Sequence, residues 1–164
     1  MKKILTICVA FLLAATTTYA KEYKHSIGMV AGIGFGAQYK TMVTNNFTII
    51  AEFLGCSANL DGGNGMGYVA APVANGVFAY QANATEGENI KLDWYVGGQA
   101  KLGYALGNAG IFGFGAVGGI EANMTNAPIA FSFDFRPGYG LLFNGAGTGH
   151  MFDYSINLGV RHTF

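Results

Sequence analysis

Charged side chains are scarce in this sequence: they make up 11% of its 164 residues, whereas a soluble domain of this size carries about 25%. After residue 20 there is also no run of about 18 apolar residues, which excludes a membrane-spanning helix. The formal net charge is +0, so neither nucleic acid nor an anionic surface is indicated as a partner. A chain that is 51% hydrophobic and yet has no apolar helix is typical of a membrane β-barrel.

Cysteine and histidine are also sparse, which argues against disulfides and metal sites. Of the 2 cysteines, Cys8 falls in the leader described below, so Cys56 has no partner within the chain. The 3 histidines, His25, His150 and His162, do not have the spacing of metal ligands. Residues 113–118 match a glycine-rich dinucleotide motif, but a strand pattern continues where a helix would have to begin. We therefore predict no cofactor and no metal.

The first twenty residues have the features of a Sec-type signal peptide. Two lysines follow Met1, residues 4–15 are almost wholly apolar, and small residues precede a cleavage site after Ala20. Cleavage there leaves residues 21–164 as a single domain. Its net charge is near −2, because two of the 9 basic residues are lost while all 9 acidic ones are kept.

The last eleven residues alternate strictly between two kinds of side chain. Those at even positions from Tyr154 to Phe164 are apolar or aromatic, and those between them are small, polar or charged. A period of two describes a β-strand with one apolar and one polar face. A transmembrane barrel pairs its last strand with its first and places aromatic residues at the membrane interface, so this pattern predicts such a barrel.

Seven further segments alternate in the same way. The clearest is residues 90–104, where Trp94 and Tyr104 belong to the apolar face and fit interfacial positions. The other predicted strands are residues 26–34, 37–43, 47–55, 76–83, 111–123 and 129–142. Together the eight segments nearly fill the chain. We therefore predict an all-β fold, a closed eight-stranded antiparallel transmembrane barrel with a polar interior.

Strand order predicts the topology. With both termini in the periplasm, the turns at residues 44–46, 84–89 and 123–128 are periplasmic, and the longer glycine-rich loops at residues 56–75 and 143–151 lie outside. The alternative is a soluble periplasmic barrel whose apolar face points inward around a ligand. That arrangement would crowd large aromatic side chains into the lumen and turn the charges outward.

The face opposite the aromatic residues carries charges of both signs. An eight-stranded barrel is only wide enough for side chains to fill it, so buried charges there should pair. The predicted interior ion-pair network consists of Lys40, Glu52, Asp93, Lys101, Glu121, Asp134, Arg136 and Arg161.

Two interpretations of this network stay open. In the first it is a packed polar core that sets strand register and rigidity. In the second it is a gate, where exchange of ion-pair partners opens a narrow water path. The second is favoured by inward glycines that leave space, namely Gly97, Gly103, Gly113, Gly115, Gly119, Gly138, Gly140 and Gly159.

Some eight-stranded barrels modify lipid A with a histidine and a serine, so an enzymatic site is a further possibility. The candidates are His150, Asp153 and Ser155. A nucleophile and its base would have to lie two residues apart on one face of a strand, but His150 has Phe152 at that spacing. We therefore predict that the protein is not an enzyme.

Two stretches, residues 92–97 and 126–137, together with the leader and the terminal strand, resemble the small eight-stranded outer-membrane barrels of the OmpX and opacity types, especially their Bacteroidetes members. The pattern of Asn157, Gly159, His162 and Phe164 resembles the C-terminal assembly signal of such barrels, although His162 stands where Tyr or Phe is more usual.

The resemblance implies a multi-pass protein of the bacterial outer membrane. Its partners would be the membrane lipids, the barrel-assembly machinery and an extracellular partner of unknown identity, and we expect a monomer. The expected role is structural or adhesin-like, with residues 56–75 and 143–151 presented outside. A narrow conduit for small solutes and a lipid A-modifying enzyme are the alternatives, because a fold alone does not specify an activity.

Overall fold

The computed structural model describes residues 23–32, 34–55, 59–61, 66–68, 72–105, 109–144 and 147–164. The predicted signal peptide lies outside these residues. In the described ranges every regular element is a β-strand, and no helix is long and apolar enough to cross a membrane. The strands are β1 His25–Ala31, β2 Phe35–Met42, β3 Phe47–Leu54, β4 Asn59–Asp61, β5 Met66–Tyr68, β6 Val73–Glu86, β7 Ile90–Ala105, β8 Ala109–Met124, β9 Ile129–Asn144 and β10 Gly147–Thr163.

Eight of these strands form a closed antiparallel barrel in the order β1-β10-β9-β8-β7-β6-β3-β2, which confirms the predicted all-β fold with eight strands in a closed barrel. The remaining two, β4 and β5, pair with each other as a small separate hairpin. The barrel closes where β1 pairs with β10, from Ser26 opposite Thr163 to Ala31 opposite Leu158. Backbone hydrogen bonds between His25 and Phe164 extend this seam to the last residue.

The register of the strands determines how strongly they tilt. A line perpendicular to the strands runs from Ile27 through paired residues on each neighbour and reaches β10 at Phe152. Ile27 itself pairs with His162, so the stagger around the barrel is ten residues. With strands about 4.8 Å apart and a rise of about 3.3 Å per residue, this gives a tilt of roughly 40° and an axial rise of roughly 2.5 Å per residue.

Burial in this barrel is the reverse of that in a soluble protein. Lys40 and Glu121 are 0% exposed, whereas Leu158 is 60% exposed. Most of the large apolar side chains, including every Phe of the described ranges, point out of the barrel. The buried set is dominated by polar and charged residues, with a few small or medium apolar ones such as Val77 and Val117. The alternation in each strand therefore separates an apolar exterior from a polar interior.

The walls of the barrel are unequal in height. Strands β1, β2 and β3 have 7 or 8 residues, whereas β6 to β10 have 14 to 17. We call the end that carries Tyr23 and Phe164 the terminal end, and the other the distal end. At the distal end β7 to β10 rise beyond the short strands, and β9 and β10 project as a hairpin, whereas β6 begins level with the end of β3, with Val73 opposite Leu54.

The predicted loop at residues 143–151 is wrong, because the long strands β9 and β10 extend into it from both sides. Residues 143–144 belong to β9 and residues 147–151 to β10, and the two strands stay paired up to Asn144 opposite Gly147. The glycines in this stretch obscured the alternation of apolar and polar residues that indicates a strand. Gly147, the first residue of β10, has a φ of 146°, in a region that favours glycine.

Two other boundaries also differ from the predictions. The predicted loop 56–75 contains the β4–β5 hairpin, and its last residues, 73–75, belong to β6. Strand β6 also continues to Glu86, past the predicted end at residue 83, with a register irregularity between Asn83 and Thr85. An irregularity of this kind interrupts strict alternation, so the end of the strand has the composition of a turn.

Candidate functional site

The barrel interior is the candidate site, and all eight predicted interior charges face it. Seven of them are buried, and Lys101 keeps 13% of its side chain exposed. Hydrogen bonds and ion pairs divide them into distinct groups along the barrel axis. Two groups have three members each, and we call them the terminal triad and the distal triad.

The terminal triad consists of Lys40 on β2, Glu121 on β8 and Arg161 on β10. Lys40 Nζ lies 2.8 Å from each carboxylate oxygen of Glu121, and Arg161 Nη2 donates to the same carboxylate. The three side chains are at most 1% exposed. One carboxylate from β8 thus binds two cations from β2 and β10, which are separated in the barrel by β1.

Neutral polar side chains complete the surroundings of this triad. Arg161 Nη1 donates to Gln38 Oε1 at 3.0 Å and to Ser132 Oγ at 3.2 Å. Lys40 Nζ donates to Gln81 Oε1 at 2.6 Å, and Gln81 Nε2 in turn donates to Asp93 Oδ2 at 3.0 Å. Gln81 therefore links the triad to the fourth charge of this region.

Asp93 is held mainly by amides. Besides Gln81, Asn83 Nδ2 donates to it at 3.2 Å and Asn123 Nδ2 at 3.1 Å. Its negative charge balances the surplus positive charge of the terminal triad, and the Gln81 side chain lies between the two. With Asp93 included, the terminal region has two cations and two carboxylates.

The distal triad has the opposite composition: Arg136 on β9 lies between Glu52 on β3 and Asp134 on β9. Arg136 Nη1 and Nη2 are 2.6 and 2.9 Å from the two oxygens of Glu52. Arg136 Nε and Nη2 are 2.6 and 2.9 Å from the oxygens of Asp134. Both contacts are bidentate, the geometry for which a planar guanidinium is suited.

Amides also satisfy the carboxylates of this triad. Asn75 Nδ2 donates to Glu52 Oε2 at 2.8 Å, and Asn157 Nδ2 donates to Asp134 Oδ1 at 3.0 Å. Asn75 had been predicted to lie in an outer loop, so its presence here is a correction. The residues around Asn75 have the composition of a loop, so the local sequence did not indicate that its side chain would face the lumen.

Tyr95 lies between the two triads. Its hydroxyl donates to Asp134 Oδ2 at 2.7 Å, and its ring is 6.0 Å from Lys40 Nζ. It is 2% exposed. Its position depends on Gly119 of the neighbouring strand, because a Cβ there would lie 2.7 Å from the Tyr95 ring.

Nearer the distal end, Lys101 forms an ion pair with Asp153. The stem of Lys101 covers Gly113, where a Cβ would lie 2.8 Å from its Cγ. Glycines that had been expected to leave space for water at these two places instead accommodate the Lys101 stem and the Tyr95 ring. At these two levels the lumen is therefore filled by side chains.

Tyr23 was not among the predicted site residues. It precedes β1, yet its hydroxyl donates to Glu121 Oε1 and accepts from Lys40 Nζ at 3.3 Å, and Lys40 Nζ lies 5.6 Å from its ring centroid. Burial raises the pKa of Tyr23 to about 12, so the hydroxyl keeps the proton that it donates. Alternation could not have found it, because it lies outside every strand.

The terminal end of the barrel opens into a cavity of about 580 Å³, which we call the vestibule. Tyr23, Gln81, Asp93 and Asn123 line it on the side of the lumen, and the turns at residues 43–46 and 124–125 line its rim. The three residues of the terminal triad are not among those that line it. The vestibule therefore ends where the terminal triad begins.

The residues of the predicted assembly signal lie on both faces of β10. Asn157 and Gly159 face inward, Gly159 against Gln38 and Ser132, whereas Phe164 points outward. The Phe164 ring lies 6.1 Å from that of His162 and 6.0 Å from that of His25. The residues of the predicted signal therefore lie at or next to the closing seam of the barrel.

The candidate lipid-modifying residues do not come together. His150 is exposed on the outer face, where its Nδ1 is 2.6 Å from the hydroxyl of Tyr139. Asp153 is inside and paired with Lys101, and Ser155 Oγ accepts from Asn157 Nδ2 at 3.0 Å. The wall of the barrel separates the base from the other two residues.

No group of three or more potential metal ligands occurs among the described residues. No protein-family model matches this chain, and comparisons with curated proteins and with solved structures yielded no match.

Proposed function

We propose that the protein is an integral outer-membrane barrel with a structural or surface-interaction role. The observation that carries this proposal is the reversed polarity of the barrel. Apolar side chains such as Phe135 and Leu158 are 47% and 60% exposed, while Arg136 and Arg161 are 3% and 1% exposed. In water such an exterior would be costly, whereas in lipid it is the favourable arrangement.

The height of the apolar exterior supports the same proposal. On β7, Trp94 and Tyr104 are separated by ten residues, and on β10 the same number separates His162 from Phe152. On these long strands, at an axial rise of roughly 2.5 Å per residue, the aromatic belts are roughly 25 Å apart, which matches the apolar band of outer-membrane barrels. Neighbouring aromatic rings, such as those of Tyr80 and Trp94 with centroids 5.8 Å apart, form the terminal belt.

The projecting β9–β10 hairpin supports an interaction role. Beyond the distal belt its exposed residues include Thr148 and His150, and β1 pairs with β10 only as far as Leu158. If the termini face the periplasm, this hairpin lies outside the cell. Its partner is an extracellular molecule that we do not identify, and lipids and the barrel-assembly machinery are the partners that we propose for the barrel itself, as a monomer.

Membrane insertion is tested by heat-modifiable gel migration in a washed outer-membrane fraction. We expect the unboiled protein to migrate differently from the boiled protein and to remain with the membrane. Leu158→Lys, near the middle of the apolar band, should reduce the amount of this species, because a lysine at mid-bilayer costs about 2–4 kcal/mol. Phe143→Lys, beyond the band, is the matched control and should have little effect. Equal loss in both variants, or a protein that washes off, would reject membrane insertion.

Orientation is tested with single thiols in a Cys56→Ser background. Thr148→Cys on the projecting hairpin should react with a membrane-impermeant maleimide on intact cells. Asn45→Cys in a turn at the terminal end should react only after the envelope is disrupted. The opposite result would place the hairpin in the periplasm and remove its proposed role at the cell surface.

A narrow conduit is the second candidate, and the open vestibule is the observation that favours it. It predicts conductance in a planar bilayer that changes when Glu121 or Arg136 is neutralised. Against it, the lumen between the two triads is filled by Tyr95 and the ion pairs. A silent bilayer for the wild type and for both variants would exclude it.

A further inference from the structure

We propose that the side chain of Tyr23 is a stopper that separates the vestibule from the terminal triad. Tyr23 lines the vestibule, while its hydroxyl contacts Glu121 and Lys40, which are each 0% exposed. It therefore forms part of the boundary between the open cavity and the buried charges. This inference goes beyond the proposed function and does not require that the barrel spans a membrane.

The residues around Tyr23 show why it is the removable part of that boundary. Gln81, Asp93 and Asn123, which line the same side of the vestibule, belong to the paired strands β6, β7 and β8. Tyr23 precedes β1, and the terminal pairing of the chain begins only with the Lys24 carbonyl, which accepts from Met42 N at 2.9 Å. Tyr23 can therefore leave without breaking a strand ladder, whereas the other three cannot.

The contacts of the hydroxyl hold the stopper in place. Tyr23 donates to a carboxylate that already binds Lys40 and Arg161, and Lys40 lies 5.6 Å from the Tyr23 ring centroid. A hydrogen bond to a charged group and a cation–π contact both favour the closed position. The ring blocks the passage, and the hydroxyl anchors the ring.

A thiol placed beyond the stopper tests this proposal. In a Cys56→Ser background, Thr48→Cys introduces a near-isosteric thiol at an inward position that is 0% exposed and whose cross-strand partner, Met42, lines the vestibule. The folded protein in detergent micelles is treated with a small charged methanethiosulfonate reagent, and labelling is followed by mass.

We expect labelling of the thiol to be slow in the protein that retains Tyr23. It should be faster in Tyr23→Phe, which keeps the ring but loses the hydroxyl that anchors it. It should be fastest in Tyr23→Ala, at a rate about tenfold or more above that with Tyr23. Tyr39→Ala is the matched control, because Tyr39 is on the outer face at the same end, and it should not change the rate. Heat-modifiable migration establishes that each variant is a closed barrel before labelling.

Two outcomes would overturn the proposal. Labelling as slow in Tyr23→Ala as in wild type would show that the ring is not the barrier. Acceleration by Tyr39→Ala equal to that by Tyr23→Ala would show general loosening of the terminal end. If Tyr23→Ala does not form a closed barrel, the Tyr23→Phe variant alone decides. A labelling rate equal to that of the wild type would then show that the hydroxyl does not anchor the ring.

Discussion

The two triads inside the barrel use the same chemistry in opposite proportions. In the terminal triad one carboxylate, Glu121, binds Lys40 and Arg161, whereas in the distal triad one guanidinium, Arg136, binds Glu52 and Asp134. The terminal triad has a surplus positive charge and the distal triad a surplus negative one. Asp93 balances the terminal surplus through Gln81, and removing either central residue leaves two like charges without the group that they shared.

The hydrogen bonds of the two arginines differ as well. Arg136 uses Nε, Nη1 and Nη2 in its contacts with two carboxylates. Arg161 uses Nη1 and Nη2, while its buried Nε has no hydrogen-bond partner among the described residues. The distal triad is thus the more completely satisfied of the two, and the terminal triad depends more heavily on one carboxylate.

The largest expected effect is that of Glu121→Gln. It leaves Lys40 and Arg161 buried without their shared carboxylate, and a guanidinium does not lose its proton in a protein. We expect a loss of about 4–5 kcal/mol in the free energy of unfolding, because a buried pair that loses one partner leaves an uncompensated charge. Urea unfolding in micelles, followed by the fluorescence of Trp94, measures it.

Glu88→Gln is the matched control for this variant. Glu88 is an exposed carboxylate in the turn between β6 and β7. Its neutralisation should change stability by less than about 0.5 kcal/mol. Equal effects of the two substitutions would show that Glu121 does not organise the terminal triad.

Arg136→Met should cost less, about 3 kcal/mol at neutral pH. It leaves Glu52 and Asp134 without their shared guanidinium, but the amides of Asn75 and Asn157 and the hydroxyl of Tyr95 still donate to these carboxylates. Urea unfolding of the two variants tests this order, and a loss for Arg136→Met equal to or larger than that for Glu121→Gln would contradict it.

Gly119→Ala tests how closely the two triads are packed together. A Cβ at this inward position would lie 2.6 Å from Asp134 Cβ and 2.7 Å from the ring of Tyr95. Overpacking of this kind typically costs about 1–3 kcal/mol, and we expect about 2. Gly118→Ala is an internal control, because Gly118, the residue before Gly119 on the same strand, points outward, and an added Cβ there would meet no atom within 4 Å. It should be neutral or slightly stabilising.

The face that a side chain takes could be predicted from the sequence because its signal is local, whereas the contacts between charges could not. Alternation determines which face a side chain takes, and this was enough to place Lys40, Glu52, Arg136 and the other predicted charges inside the barrel. It does not determine which charges meet. Glu52 and Arg136 belong to strands that are not neighbours in the barrel, so their contact depends on the stagger of ten residues and on the lumen diameter.

Tyr23 and Asn75 were missed for a different reason. Both lie where the chain changes from irregular structure to strand, and their neighbours, such as Pro72 or Lys24, have no periodic pattern. Neighbouring glycines had a similar effect in residues 143–151, where a paired ribbon was predicted as a loop. Local composition indicates a turn in these places, but the pairing comes from the partner strand.

The smallest expected effect is that of Tyr95→Phe, which removes the contact between the triads but leaves both of them intact. Asp134 keeps its bonds from Arg136 and Asn157, so we expect a loss of about 1.5 kcal/mol, at the lower end for a hydrogen bond to a charged group. In the double variant with Arg136→Met, the loss of stability should exceed the sum of the losses in the two single variants. Of the three donors Arg136, Tyr95 and Asn157, only Asn157 then still donates to Asp134. Additive losses would mean that Tyr95 only fills space between the triads, and the fold would then contain two independent charge clusters.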